Sequence, residues 1–175
     1  MRIAMSTNDI ADWDATLNDA IDRCDTPAIC RSRLNRIQCL FNFYSVDSAI
    51  IEARESLPFI LNAKQYSFYF STYNTFISGL FKQRRFDEAR EEATTMFETA
   101  QQVKQPVGMT MALQVQGSMY YKLGLYDQAL TSLEKGIAIC PTYENGENQV
   151  LYISAVLYEW LFMTALKVND TERIS

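Results

Sequence analysis

Apolar residues recur along this chain at two intervals. Within segments they fall three and four apart, and between segments they fall forty apart. Leu40, Leu80, Tyr120 and Trp160 make one column of the longer interval, Phe41, Phe81, Tyr121 and Leu161 a second, and Leu57, Phe97 and Ile137 a third. The same register carries an apolar-Asp-x-Ala word, as Val46-Asp47-Ser48-Ala49, Phe86-Asp87-Glu88-Ala89 and Tyr126-Asp127-Gln128-Ala129. The short interval is that of an amphipathic helix. The long one belongs to a repeat whose members bury their apolar faces only against neighbours.

The elements follow from this pattern. Ile10, Trp13, Leu17, Ala20 and Ile21 predict a helix over 9–24, and Trp13 aligns with Ala53, Ala93 and Leu133, so the chain opens on a half-repeat. Thr26-Pro27 offers a capping hydroxyl and a proline at the start of a helix running to about Tyr44. Its partner, Ser45 to Leu57, is closed or kinked by Pro58, and the unit spans 26–62. In 64–82 the aromatics Tyr66, Phe68, Tyr69, Phe70, Tyr73, Phe76 and Phe81 crowd together. Tyr69, Tyr73, Phe76 and Leu80 have the spacing of a core stripe, which outweighs an aromatic ligand box. Gln83-Arg84-Arg85 is a turn, and Phe86 to about Val103 completes the unit 64–103. Pro106 opens the unit 106–141. A loop over 141–146 leads to a helix over about 147–168, and Asn169-Asp170-Thr171-Glu172 then supplies start-of-helix residues. The span 147–175 therefore reads as an incomplete repeat, and 1–175 as a single all-α domain of roughly eight helices within a longer polypeptide.

In the stretch MALQVQGSMYYKLGLYDQALTSLEKGIAICP, 111–141, Gly117, Tyr120, Gly124, Tyr126, Asp127, Ala129, Leu133 and Pro141 stand in an order and spacing that resemble a tetratricopeptide (TPR) repeat. Gly117 and Ala129 are small residues that let facing helices approach, with Leu133 filling the space beside them. The first two units depart from the pattern, with Ile37 and Ile77 where the third has Gly117. The period exceeds the family's about 34 residues and touches the HEAT and armadillo range, but no HEAT word is visible. The resemblance implies a right-handed α-solenoid of antiparallel helix pairs whose first helices line an inner, concave surface, and a binding module without catalysis. In bacteria such long-repeat arrays often form the N-terminal regulatory region of signalling proteins of the GGDEF type, acting on the output domain by population shift.

Composition narrows the chemistry. The 175 residues are 48% hydrophobic with six glycines and four prolines, enough for a core and too few breakers for a turn-rich β fold. No histidine is present, which removes the commonest general base and transition-metal ligand. Neither a phosphate-binding glycine loop nor a nucleophile motif is found, so no enzyme, no cofactor and no metal are expected. Cys24, Cys30, Cys39 and Cys140 include no C-x-x-C pair and read as reduced thiols packed as small apolar residues. The N-terminus lacks the apolar region of a secretory signal, which places the protein in the cytoplasm. Glu159, near the middle of the apolar segment 150–168, argues against a membrane span.

Charge is distributed unevenly. The net charge is −5, yet 26–46, 56–86 and 99–126 contain no acid and hold nine of sixteen bases: Arg31, Arg33, Arg36, Lys64, Lys82, Arg84, Arg85, Lys104 and Lys122. These stretches centre on the first helices, so the resemblance implies a basic groove and an acidic back. Helix dipoles alone account for acids early in second helices and bases late in first helices, though not for Arg31, Arg33 and Arg36. The family's groove positions carry over to Arg31, Leu34, Gln38, Phe41 and Asn42; to Ser71, Asn74, Ser78, Phe81 and Lys82; to Met111, Gln114, Ser118, Tyr121 and Lys122; and to Leu151, Ser154 and Tyr158. Asn42 and Asn74 are candidates for holding peptide backbone, and Lys82 and Lys122 for an anion, which suits an extended or acidic protein segment. Leu34 stands where a chaperone-tail clamp would have a polar residue. The alternative is a homodimer in which Trp160, Leu161 and Phe162 bury against a second copy. Nucleic acid is disfavoured by a pI near 4.8.

Overall fold

The computed structural model describes residues 9–140 and 148–174. Among them the chain is all-α, as its pattern predicts: eight α-helices, one turn of π-helix and no strand. Helix α1 spans Ile10–Asp22 and α2 Thr26–Cys39, which continues into the π turn Leu40–Tyr44. Then come α3 (Val46–Asn62), α4 (Tyr66–Lys82), α5 (Phe86–Gln102), α6 (Pro106–Lys122), α7 (Tyr126–Ile139) and α8 (Asn148–Ile174). The chain forms two compact units, Met1–Arg85 with α1 to α4 and Phe86–Ser175 with α5 to α8.

The forty-residue repeat resolves into steps of twenty. Thr26, Val46, Tyr66, Phe86, Pro106 and Tyr126 all begin helices, and one turn geometry recurs between them. Cys24, Lys64, Arg84, Lys104 and Gly124 adopt left-handed backbone, with φ of 51°, 55°, 60°, 56° and 76°. At each, the N–H bonds to the carbonyl three residues back and the next N–H to the carbonyl five back, as in Lys64 to Leu61 (2.9 Å) and Gln65 to Ile60 (3.2 Å). This is the Schellman closure, which satisfies the last free carbonyls of a helix. The carbonyl five back belongs to Ala20, Ile60, Leu80, Ala100 and Tyr120, of which the first four are buried side chains. The repeat therefore ties a core residue and a turn bond to the same position.

Four of these five left-handed positions hold residues with a Cβ, each straining the turn by about 1–2 kcal/mol. Replacing Lys64, Arg84 or Lys104 by glycine is therefore expected to stabilise the fold by about 0.5–1 kcal/mol each, and Gly124→Ala to weaken it by about 1 kcal/mol. Urea unfolding of the single variants measures both signs. A loss of stability in all three glycine variants would contradict the strain assignment.

The turn after α2 is the exception. Ser45 N–H again reaches the carbonyl five back, Leu40, at 2.9 Å, but the chain gets there by winding Leu40–Tyr44 as π-helix. Ser45 then caps α3, its hydroxyl accepting from Ser48 N–H at 3.2 Å. Other boundaries also differ from the sequence reading. Asp25 rather than Thr26 caps α2, its carboxylate accepting from Ala28 N–H at 3.1 Å, because the helix begins one residue earlier than the hydroxyl cap requires. Pro58 neither closes nor ends α3, which runs on to Asn62. Pro58 and Arg54, whose carbonyl the missing N–H would have met, are both exposed, so water can satisfy that carbonyl. No second helix begins at Asn169, since α8 continues to Ile174. The expected loop over 141–146 lies outside the described residues.

Each unit buries its own stripe. In the first, Ile37, Ile60, Phe76, Ile77 and Leu80 are at most 1% exposed, and the expected core stripe of α4 is buried throughout. Tyr69, Tyr73 and Phe76 run as an aromatic ladder with centroid separations of 5.5 and 6.0 Å. In the second, Met96, Leu133 and Leu157 are fully buried. Side chains of this size contribute about 1.5–3 kcal/mol each on burial. Gly117 is as close to α7 as its spacing implies: a Cβ there would lie 2.4 Å from Leu133 Cγ. Gly136 of α7 receives Leu113 from α6 and Leu157 from α8.

Candidate functional site

In the first unit α2 and α4 run side by side in the same direction, since Arg31 meets Phe68 early in each helix and Phe41, in the π turn that continues α2, meets Lys82 at the end of α4. The Arg31 guanidinium lies 5.9 Å from the Phe68 ring centre, and the Lys82 ammonium 5.0 Å from that of Phe41. Arg31, Gln38, Asn42 and Lys82 are exposed, while Phe41, Ser71, Asn74, Ser78 and Phe81 are half-buried. Cations seated on aromatic faces keep their charge open to a further anion while their stems are packed.

The second unit repeats the device on α6 and α8. Lys122 Nζ lies 5.7 Å from the Trp160 ring centre, and Tyr121 stacks edge-on against the same ring at 5.3 Å and near Tyr126 at 5.7 Å. Gln114, Ser118, Tyr121 and Ser154 are half-buried, and Lys122 and Tyr158 are exposed. The side chain of Leu151 lies outside the described residues. Phe68 and Trp160 as cation platforms were missed by the sequence reading. For Trp160 the signal lay in the forty-residue column Leu40, Leu80, Tyr120 and Trp160, which runs beside the bases at 82 and 122, whereas no column contains Phe68.

Two expected groove residues do not belong to a surface. Leu34 is 9% and Met111 7% exposed, and both join the core because their helices are packed on more than one side. Two bases of the acid-free stretch 26–46 bind other helices. Arg36 forms ion pairs with Asp14 of α1 and Glu52 of α3. Arg33 donates to the Ser56 hydroxyl at 3.2 Å and lies 5.0 Å from the Phe59 ring centre, while its Nε is buried with no acceptor among the described residues. These two arginines tie helices together, and only Arg31 of the three is presented outward. Of the three residues that the homodimer reading sets against a second copy, Trp160 is engaged by Tyr121 and Lys122, Leu161 is half-buried and Phe162 is exposed at 64%.

All four cysteines are free thiols, Cys24 exposed and Cys30 and Cys39 buried. Burial pushes the Cys30, Cys39 and Cys140 thiols above the ordinary value of 9.0; Arg33 and Arg36 oppose the rise at Cys30 and Cys39, Asp9 adds to it at Cys39, and a hydrogen bond with Thr110 opposes it at Cys140. The neutral thiol is the form the fold favours, so its contribution to stability is complete below about pH 9 and is lost as pH rises through the raised values. Iodoacetamide at pH 8 is expected to modify Cys24 first and to reach Cys30 and Cys39 only as the protein unfolds, which mass spectrometry of timed samples reads out.

Among the described residues no group of three or more Cys, Asp or Glu is placed to hold a metal ion, and no helix is long and apolar enough to cross a membrane. No protein-family model matches this chain, and no curated protein matches it.

Proposed function

We propose that the chain is a non-catalytic, TPR-like binding module of the cytoplasm, whose first helices take an extended, acidic protein segment. The observation that carries this reading is the face shared by α2 and α4. Two cations, Arg31 and Lys82, are held on aromatic rings, Gln38, Asn42, Asn74 and Ser78 stand accessible between them, and the stretches 26–46 and 56–86 contain no acid. Amide side chains suit peptide backbone, which needs both a donor and an acceptor, and packed cations suit carboxylates. Lys122 on Trp160 supplies the same chemistry in the second unit. Within a longer bacterial signalling protein, occupancy of this face would bias an output domain such as a GGDEF domain by population shift.

Fluorescence anisotropy with a short labelled peptide of alternating glutamate and leucine tests the reading. Lys82→Glu combined with Lys122→Glu is expected to weaken binding at least about tenfold, or ~1.4 kcal/mol. Asn74→Ala should weaken it without altering the salt dependence, since it removes a backbone partner and no charge. Equal affinity of the wild type and the charge-reversed protein would reject the anionic-segment reading.

A further inference from the structure

Helix α8 buries one side and leaves a patterned line of residues on the other. Ile153, Leu157 and Thr164 are at most 5% exposed, whereas Tyr152, Phe162 and Leu166 are 71%, 64% and 46% exposed. Tyr152, Ala155, Glu159, Phe162, Leu166 and Asn169 are all exposed, and they follow one another at steps of three, four, three, four and three. That is the seam spacing of a helix that pairs with another helix. Met163, 41% exposed, flanks the line. Exposed Tyr152, Phe162 and Leu166 on the solvent side of a helix whose other side is buried mark an interaction surface.

We infer that this seam pairs with the same seam of a second copy, antiparallel, about a two-fold axis between Phe162 and Leu166. The polarity of the seam carries the choice of occupant. Glu159, Phe162, Leu166 and Asn169 read polar, apolar, apolar, polar, and an isologous contact requires that palindrome. In the antiparallel register Phe162 packs on Leu166 of the second copy, and the Glu159 carboxylate accepts from the Asn169 amide of the second copy, at both ends of the contact. A parallel pair would set the two Glu159 charges against each other. Tyr152 and Ala155 extend the line beyond this centre. The contact is a single helix seam, so the dimer is weak and concentration-dependent.

Sedimentation equilibrium of the 175-residue chain is expected to show the mass rising from one chain to two with concentration. Phe162→Glu, at an exposed position that leaves the fold intact by circular dichroism, should hold the mass at one chain throughout. Antiparallel pairing brings the two copies of position 163 to the same flank. Met163→Cys in a Cys24→Ser background should therefore crosslink between copies on mild oxidation, and Tyr158→Cys in that background should not. A single-chain mass at every concentration overturns the inference. A dimer that survives Phe162→Glu, or one that crosslinks equally through 158 and 163, overturns it as well.

Discussion

Gly117→Ile is expected to destabilise the protein by about 3 kcal/mol or more and Leu133→Ala by about 2–5 kcal/mol, while the two together lose clearly less than the sum. A Cβ at 117 would lie 2.4 Å from Leu133 Cγ and 2.5 Å from its Cδ2, and Leu133 is fully buried with no room to withdraw. Removing the leucine alone leaves a void that the packed interior closes only in part. The expected rescue comes from elsewhere in the same chain. A shift of eighty residues, two repeats of forty, takes 117 and 133 to Ile37 and Ala53, both fully buried, where the large and small residues have changed places. At this register the large residue stands on α7 in the second unit and on α2 in the first. Denaturant unfolding of the two single variants and the double gives the coupling energy, and strict additivity would show that 117 and 133 do not share one volume.

Arg36→Gln is the other large effect, an expected loss of about 2–3 kcal/mol that exceeds the loss from Asp14→Asn or Glu52→Gln. The guanidinium bridges the carboxylates of Asp14 on α1 and Glu52 on α3. Its side chain is 26% exposed and that of Glu52 18%, so removing the arginine strands a largely buried carboxylate, whereas removing either acid leaves the arginine one partner. Asp14 is 48% exposed, and water replaces more of what it loses. A double-mutant cycle between Arg36 and Glu52 measures the pair. Thermal unfolding temperatures of Arg36→Gln and Asp14→Asn that coincide would remove Arg36 from its place as the link between three helices.

Both effects bear on how far the chain could be read without its structure. The forty-residue columns were legible because burial in a stack of helices repeats with the helices themselves, and Tyr69, Tyr73, Phe76 and Leu80 proved to be the stripe their spacing implied. The finer step of twenty was hidden. Cys24, Lys64, Arg84, Lys104 and Gly124 share a backbone conformation but not a residue type, and of these only glycine announces that conformation in a sequence. Ile37 departs from the family pattern, and Ala53, sixteen residues on, is small where the third unit has Leu133, a compensation that a single position does not reveal. The polar positions expected to line a groove on the first unit are exposed or half-buried. Leu34 and Met111 were misread, because a helix packed on several sides turns a nominal surface position inward.

What the amino-acid order decided alone is the class of fold, the helix count, the period and the uneven placement of acids, since all of these follow from local periodicity and composition. Which arginines face water and which bind helices together was decided only in three dimensions, as were the aromatic seats of Lys82 and Lys122 and the open seam of α8. The reason is the same in each case. A side chain's role depends on what a distant helix sets against it, and periodicity records only the direction in which that side chain leaves its own helix.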